Sequence, residues 1–173
     1  MNINRRNFLI FFKWVTYVAA FVLCAVLQTT PYFLAIGGVK PALVLPLCLA
    51  VAVYEGEFSG ALFGAFGGLV WDMLSGRVVG FFALGVMLSC FAVALLAQLY
   101  LKENSTNFVL MTAGAALFIT GYDFLFRYIM PGYSGALAYY CSVILPVIIF
   151  TAAVSPIALW LIKKLHFSFV LEE

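Results

Sequence analysis

Gly60-Ala61-Leu62-Phe63-Gly64-Ala65-Phe66-Gly67-Gly68-Leu69-Val70-Trp71-Asp72-Met73-Leu74-Ser75-Gly76-Arg77 is the stretch whose reading decides the fold. Its only charges are Asp72 and the terminal Arg77, and Gly60, Gly64, Gly68, Asp72 and Gly76 recur every four residues. Side chains four apart share one face of a helix, so the stretch predicts a helix with one smooth wall of small residues. Small residues at this spacing let helix backbones approach closely within a membrane. Asp72 lies on the same stripe and is expected to point at a neighbouring helix, because an ionised carboxylate facing hydrocarbon costs at least ~2.5 kcal/mol.

The remaining sequence extends this pattern. Of 173 residues, 66% are apolar and 9% charged, and the mean hydropathy is +1.14. A soluble domain carries about 25% charged residues, so lipid must solvate much of this surface. Apolar runs cover 14–34, 42–54, 58–74, 78–101, 108–130 and 136–162. Breaks such as Gly37-Gly38-Val39-Lys40-Pro41 and Glu55-Gly56-Glu57 separate them and carry turn signals. Four runs are long enough to cross a ~30 Å hydrocarbon core, whereas 42–54 and 58–74 give only about 20 and 25 Å of helix. Those two read either as short spans or as one re-entrant hairpin. No repeat or linker divides the chain, which is taken as a single domain over 1–173.

Charge sets the expected orientation. Arg5, Arg6 and Lys13 precede the first run, and Lys163 and Lys164 follow the last. Lys and Arg accumulate on the cytoplasmic side, so both termini are expected there and the number of crossings must be even. The expected fold is an all-α integral membrane protein of about six transmembrane helices in one compact bundle. The first run is longer than a signal-peptide core and has no small-x-small cleavage site after it, so it reads as an uncleaved span.

With this orientation Gln28, Asp72, Arg77, Asp123 and Arg127 all fall in the outer leaflet. Asp123 and Arg127 are spaced i, i+4 with the acid first, the favourable order for an intrahelical pair. Arg77 or Arg127 is expected to neutralise Asp72. The cluster reads either as paired groups that fix helix packing or as a pocket or docking surface open to the outside. Trp14, Tyr17, Tyr100, Tyr133 and Trp160 fit interfacial belts, with Tyr139 and Tyr140 at the outer end of the last run. Glu55 and Glu57 are expected in a solvated cytoplasmic turn, and Pro46 and Pro146 are expected to kink or shorten helices.

Other chemistry finds little support. Cys24, Cys48, Cys90 and Cys141 each sit singly in a separate run, and His166 is the only histidine. Neither a metal site nor a disulfide framework is expected, and the thiols read as small packing residues. No phosphate loop, HExxH or nucleophile elbow is present, so no enzyme activity or cofactor is expected. A net charge of +2 is too small to suggest nucleic acid.

Leu27-Gln28-Thr29-Thr30-Pro31, Lys40-Pro41-Ala42-Leu43-Val44-Leu45 and the stretch from Gly60 through Gly80 together resemble the rod shape-determining protein MreD family. The resemblance covers Leu27 to about Gly80 closely and the rest in hydropathy. It departs at Ala42, where the family usually has a polar residue. It implies a multi-pass protein of the bacterial cytoplasmic membrane, with a helix arrangement similar to the S component of energy-coupling factor transporters. The implied partners are MreC above all, with RodA, a class B penicillin-binding transpeptidase and MreB in the wider elongation complex. The implied role is support of lateral peptidoglycan synthesis and rod shape, with no reaction of its own. On this reading Asp72 and the stripe of Gly60, Gly64 and Gly68 shape an outward groove for MreC's transmembrane helix and juxtamembrane segment. The alternative is a vitamin-capturing S component holding a small molecule near Gln28, Asp72, Asp123 and Arg127. The loop-poor outer face argues against it, because such carriers need outer loops to close over the ligand.

Overall fold

The computed structural model describes residues 3–31, 38–76, 80–99, 105–132 and 135–170. Five helical rods come first: α1 (Ile3–Thr29), α2 (Val44–Glu55), α3 (Glu57–Leu74), α4 (Phe81–Leu99) and α5 (Ser105–Phe124), the last continuing through a π-helical segment, Leu125–Ile129. The final rod joins α6 (Ala136–Tyr139), a π-helical segment (Tyr140–Ile144) and α7 (Leu145–Val170) without a break.

Helix boundaries follow local chemistry. α1 starts well before the apolar run at 14–34, because arginine and lysine are good helix formers. It stops at Thr29, since Pro31 disfavours helical geometry in the residue before it. Lys163 and Lys164 let α7 outrun the expected boundary at 162 in the same way. Pro46 falls in the first turn of α2, where a backbone N–H has no helical acceptor to lose. Pro146 lies two residues beyond the π-helical segment Tyr140–Ile144, whose wider turn absorbs the bond that proline cannot make. Pro156 sits inside α7 and deprives the Ala152 carbonyl of its usual donor. The Ser155 hydroxyl donates to that carbonyl instead, at 2.7 Å.

The core is centred on α2. Every residue from Val44 to Ala52 is buried, as expected of a helix that is apolar on all sides. α1, α3, α4, α5 and α7 all pack against it. The glycine stripe of α3 makes its contacts with α2 and α4 possible. A Cβ on Gly60 would lie 2.4 Å from Ala52 Cα of α2, and one on Gly68 would lie 2.4 Å from Ala83 Cα of α4. Gly64 and Gly67 admit the Sγ atoms of Cys90 and Cys48, each 2.6 Å from the position a Cβ would take. The stripe thus serves two neighbours, α2 and α4. All four cysteines are free thiols.

These contacts also fix direction. Gly60 opposite Ala52 and Gly67 opposite Cys48 make α2 and α3 antiparallel. Gly68 opposite Ala83, with Gln98 donating to Glu57 at 2.7 Å, does the same for α3 and α4. The Phe81 and Tyr122 rings, with centroids 4.4 Å apart, join the start of α4 to the end of α5. One end of the bundle is gathered around Glu55. Its carboxylate accepts from Lys13 Nζ and from the Tyr17 hydroxyl, each at 2.7 Å, and meets His166 Nδ1 at 3.0 Å. The first and last rods therefore meet at this Glu55 end; Asp72 lies at the opposite end.

Two expectations need correction. Glu55 is not in a solvated turn: its side chain is 9% exposed and is clamped by α1 and α7. Tyr17 is not an interfacial residue but is fully buried, because its hydroxyl finds Glu55 in the interior. Trp160 is exposed, as an interfacial or lipid-facing ring would be, whereas Tyr100 and Tyr133 lie outside the described residues.

Among the described residues, four helices are long and apolar enough to cross a membrane: Phe8–Thr29, Phe81–Leu99, Ser105–Ile129 and Leu137–Ser168. α2 is shorter, and α3 carries Glu57 and Asp72 near its two ends. The protein is an all-α membrane protein.

The glycine wall gives a direct test. Gly68→Ala drives a methyl into the α4 backbone and should destabilise the protein by about 1–3 kcal/mol. Gly114→Ala meets nothing within 4 Å and should be neutral or slightly stabilising. Thermal unfolding of both variants in detergent checks the contrast.

Candidate functional site

A cavity of about 250 Å³ lies at the Asp72 end, between α5 and the final rod. Leu45, Phe82, Ala116, Ile119 and Ile148 form its buried floor. Trp71, Thr120, Tyr128 and Ile144 form walls, and Arg127, Tyr139 and Val143 make an exposed rim. Asp123 stands at the same level, its Oδ1 3.7 Å from Arg127 Nε, with side-chain exposures of 16% and 46%. At that distance the pair attracts without forming a hydrogen bond.

The mouth is bordered by irregular backbone. The π-helical segments Leu125–Ile129 and Tyr140–Ile144 contribute Arg127, Tyr128, Val143 and Ile144 to the lining. Stacked Tyr128 and Tyr139 rings, 5.2 Å between centroids, and the Phe124–Tyr140 pair at 4.8 Å tie the two segments together. Single π-turns inside helices occur frequently at functional sites.

Three polar side chains hold the helix starts that shape the floor. Gln28 Oε1 accepts from the Val44 N–H at 3.1 Å. Thr151 Oγ1 accepts from the Ala42 N–H at 2.9 Å and donates to the Val147 carbonyl at 2.7 Å. Asp72 Oδ2 accepts from the N–H groups of Gly80, Phe82 and Ala83 at 2.9, 3.2 and 3.3 Å. Gly80, with φ +97°, precedes the first residue of α4 and has no side chain of its own to cap it. Asp72 therefore supplies the missing capping oxygen from the neighbouring helix, and its negative charge suits the positive end of the α4 dipole. Asp72 is fully buried, and among the described residues its Oδ1 has no hydrogen-bond partner.

The structure separates the four described members of the five residues grouped by the sequence. Gln28, Asp72, Asp123 and Arg127 do share one end of the bundle, but only Asp123 and Arg127 line the cavity. Gln28 and Asp72 act behind it, each on the backbone of a neighbouring helix start. Arg77 lies outside the described residues. Asp72 is held by backbone amides, and Arg127, one of its two expected partners, stands beside Asp123 instead. Trp71, Phe82, Tyr128 and Thr151 were not singled out, because aromatic and hydroxyl side chains in apolar runs look the same whether they face lipid, core or cavity. A second groove of about 690 Å³ between α4 and α5 is apolar except for Ser89, whose hydroxyl is satisfied by the Gly85 carbonyl. Among the described residues, no group of three or more His, Cys, Asp and Glu side chains is placed to hold a metal ion.

The model for the rod shape-determining protein MreD family matches residues 9–170 of the 173-residue chain. The chain belongs to the MreD family. Neither a curated protein nor a solved structure matches it. As a member of the MreD family it is a rod shape-determining, multi-pass membrane protein. The match extends well beyond the Leu27–Gly80 region that carries the recognisable motif and includes both cavity-lining rods. The vitamin-carrier alternative receives no support from these comparisons.

Asp72→Ala strips three amides of their acceptor in a buried site and should cost about 2 kcal/mol or more, whereas Asp72→Asn, as good a capping side chain, should recover part of the loss. Unfolding midpoints of the two variants in detergent test this order.

Proposed function

We propose that this MreD-family protein is a non-enzymatic subunit of the bacterial elongation complex. It binds MreC and thereby supports lateral peptidoglycan synthesis and rod shape, with RodA, a class B penicillin-binding transpeptidase and MreB as more distant partners. The observation that carries the proposal is the family match across residues 9–170. The geometry supports a binding role, since charge and aromatic rings converge on a preformed cavity with a rigid backing.

The proposed topology has six crossings in the bacterial cytoplasmic membrane, with both termini in the cytoplasm. Supporting it, successive rods alternate in direction, and α1 and α7 meet at the Glu55 end. Lys13, Lys163 and Lys164 belong to that end too, which assigns it to the cytoplasm by the excess of basic residues there. The cavity then sits at the extracytoplasmic end of the bundle. Asp72, Gln28 and Thr151 act as positioning residues that hold the cavity walls, and the α3 stripe acts as the rigid backing.

Co-purification in detergent tests the partner. MreC should co-purify with the intact protein, and its failure to do so where a known MreC–MreD pair survives would overturn the proposal. Depletion in the native rod-shaped cell should give rounded cells; unchanged rods would count equally against it. For topology, a cysteine at Ser168 should be labelled only from the cytoplasm and one at Thr30 only from outside, in a background without the four native thiols.

A further inference from the structure

The cavity at the Asp72 end has a polar rim and an apolar floor. Of its two buried or half-buried threonines, Thr120 donates to the Ala116 carbonyl at 2.6 Å and Thr151 to the Val147 carbonyl at 2.7 Å. The floor is aliphatic and aromatic. A polar, water-soluble guest would be stripped of solvent there without compensation; an acyl chain loses nothing. The opening lies between two rods whose neighbouring residues, Leu125, Ile129 and Val143, are exposed apolar side chains, so the way in is from lipid.

The rim sits where headgroups lie. Arg127 is in the last turn of the span Ser105–Ile129, and the starts and ends of the neighbouring rods are at the same level. Among the described residues, the charged side chains that line the cavity are Asp123 and Arg127, one helical turn apart. Such a pair is complementary to a dipolar head: a phosphate can receive several N–H donors from the guanidinium, while an ammonium donates to the carboxylate. A purely anionic head would bring a second negative charge against Asp123. A quaternary ammonium head has no N–H to donate.

We propose that this cavity binds one glycerophospholipid of the phosphoethanolamine type, its phosphate on Arg127, its ammonium on Asp123 and one acyl chain over Phe82, Ile119 and Ile148. The site is independent of which protein partner the bundle engages. The two π-helical segments border the space that the chain fills.

Trp71, in the cavity wall, reports occupancy. In a Trp14→Phe/Trp160→Phe protein reconstituted into vesicles, acyl-brominated phosphatidylethanolamine should quench Trp71 with roughly tenfold higher apparent affinity than the phosphatidylglycerol or phosphatidylcholine of the same chains. Asp123→Asn and Arg127→Gln should each remove that preference with the helical circular dichroism unchanged. Glycerophosphoethanolamine, the head without chains, should fail to relieve the quenching at millimolar concentration. Equal quenching by the three lipids in the parent protein would overturn the proposal without recourse to any rim variant. A preference that survives both rim substitutions would overturn the assigned contacts. Full displacement by the chain-free head would overturn the lipid assignment in favour of a soluble zwitterion.

Discussion

A helix of twelve residues reaches about 18 Å, well short of a ~30 Å hydrocarbon core. α2 is such a helix, and its unsatisfied ends would be ruinous against lipid. The structure depends on meeting that constraint. Five other helices wall α2 off, and polar side chains from outside it attend to both of its ends. Gln28 and Thr151 serve the backbone around its start. Lys13, Tyr17 and His166 converge on Glu55, its last residue. The glycine stripe is part of the same solution, since only side chains this small let α3 press against α2 and α4 together.

Much of this was legible in the sequence. Rod number and approximate limits followed from apolar runs broken by Gly, Pro and paired charges, and the four-residue repeat from Gly60 to Asp72 marked the packing face of α3. The gathering of Gln28, Asp72, Asp123 and Arg127 at one end followed from alternating rod direction. What escaped was whatever depends on backbone atoms or distant pairing. The capping of α4 by Asp72 was missed because side-chain charges are visible in a sequence, whereas the bare amides of Gly80, Phe82 and Ala83 are not. Glu55 looked solvated because Gly56 and Glu57 follow it, yet its partners lie 42 and 111 positions away at Lys13 and His166. Pro156 gave no warning that Ser155 would repair the bond it breaks.

The same logic explains the cavity. Close packing prevails where α2, α3 and α4 meet, and the cavity lies where α5 and the final rod pass through π-helical turns. Rigid walls on one side and irregular backbone on the other leave a defined opening. Its floor is set by α2 and α4, so residues that never touch the cavity, Gln28 and Asp72, still determine its shape. A change at either would be felt by a guest through the displacement of Leu45 or Phe82.

The Glu55 clamp also constrains how the chain is made. Its first two contributors, Lys13 and Tyr17, leave the ribosome long before His166, which completes the arrangement 149 positions after Tyr17. During synthesis the carboxylate must wait in an unfinished bundle, and α1, whose flanks are largely exposed apolar surface, has few other contacts to keep it in place. The clamp is therefore complete only once α7 is in place. A nascent chain arrested before residue 166 lacks the histidine that joins its last helix to its first.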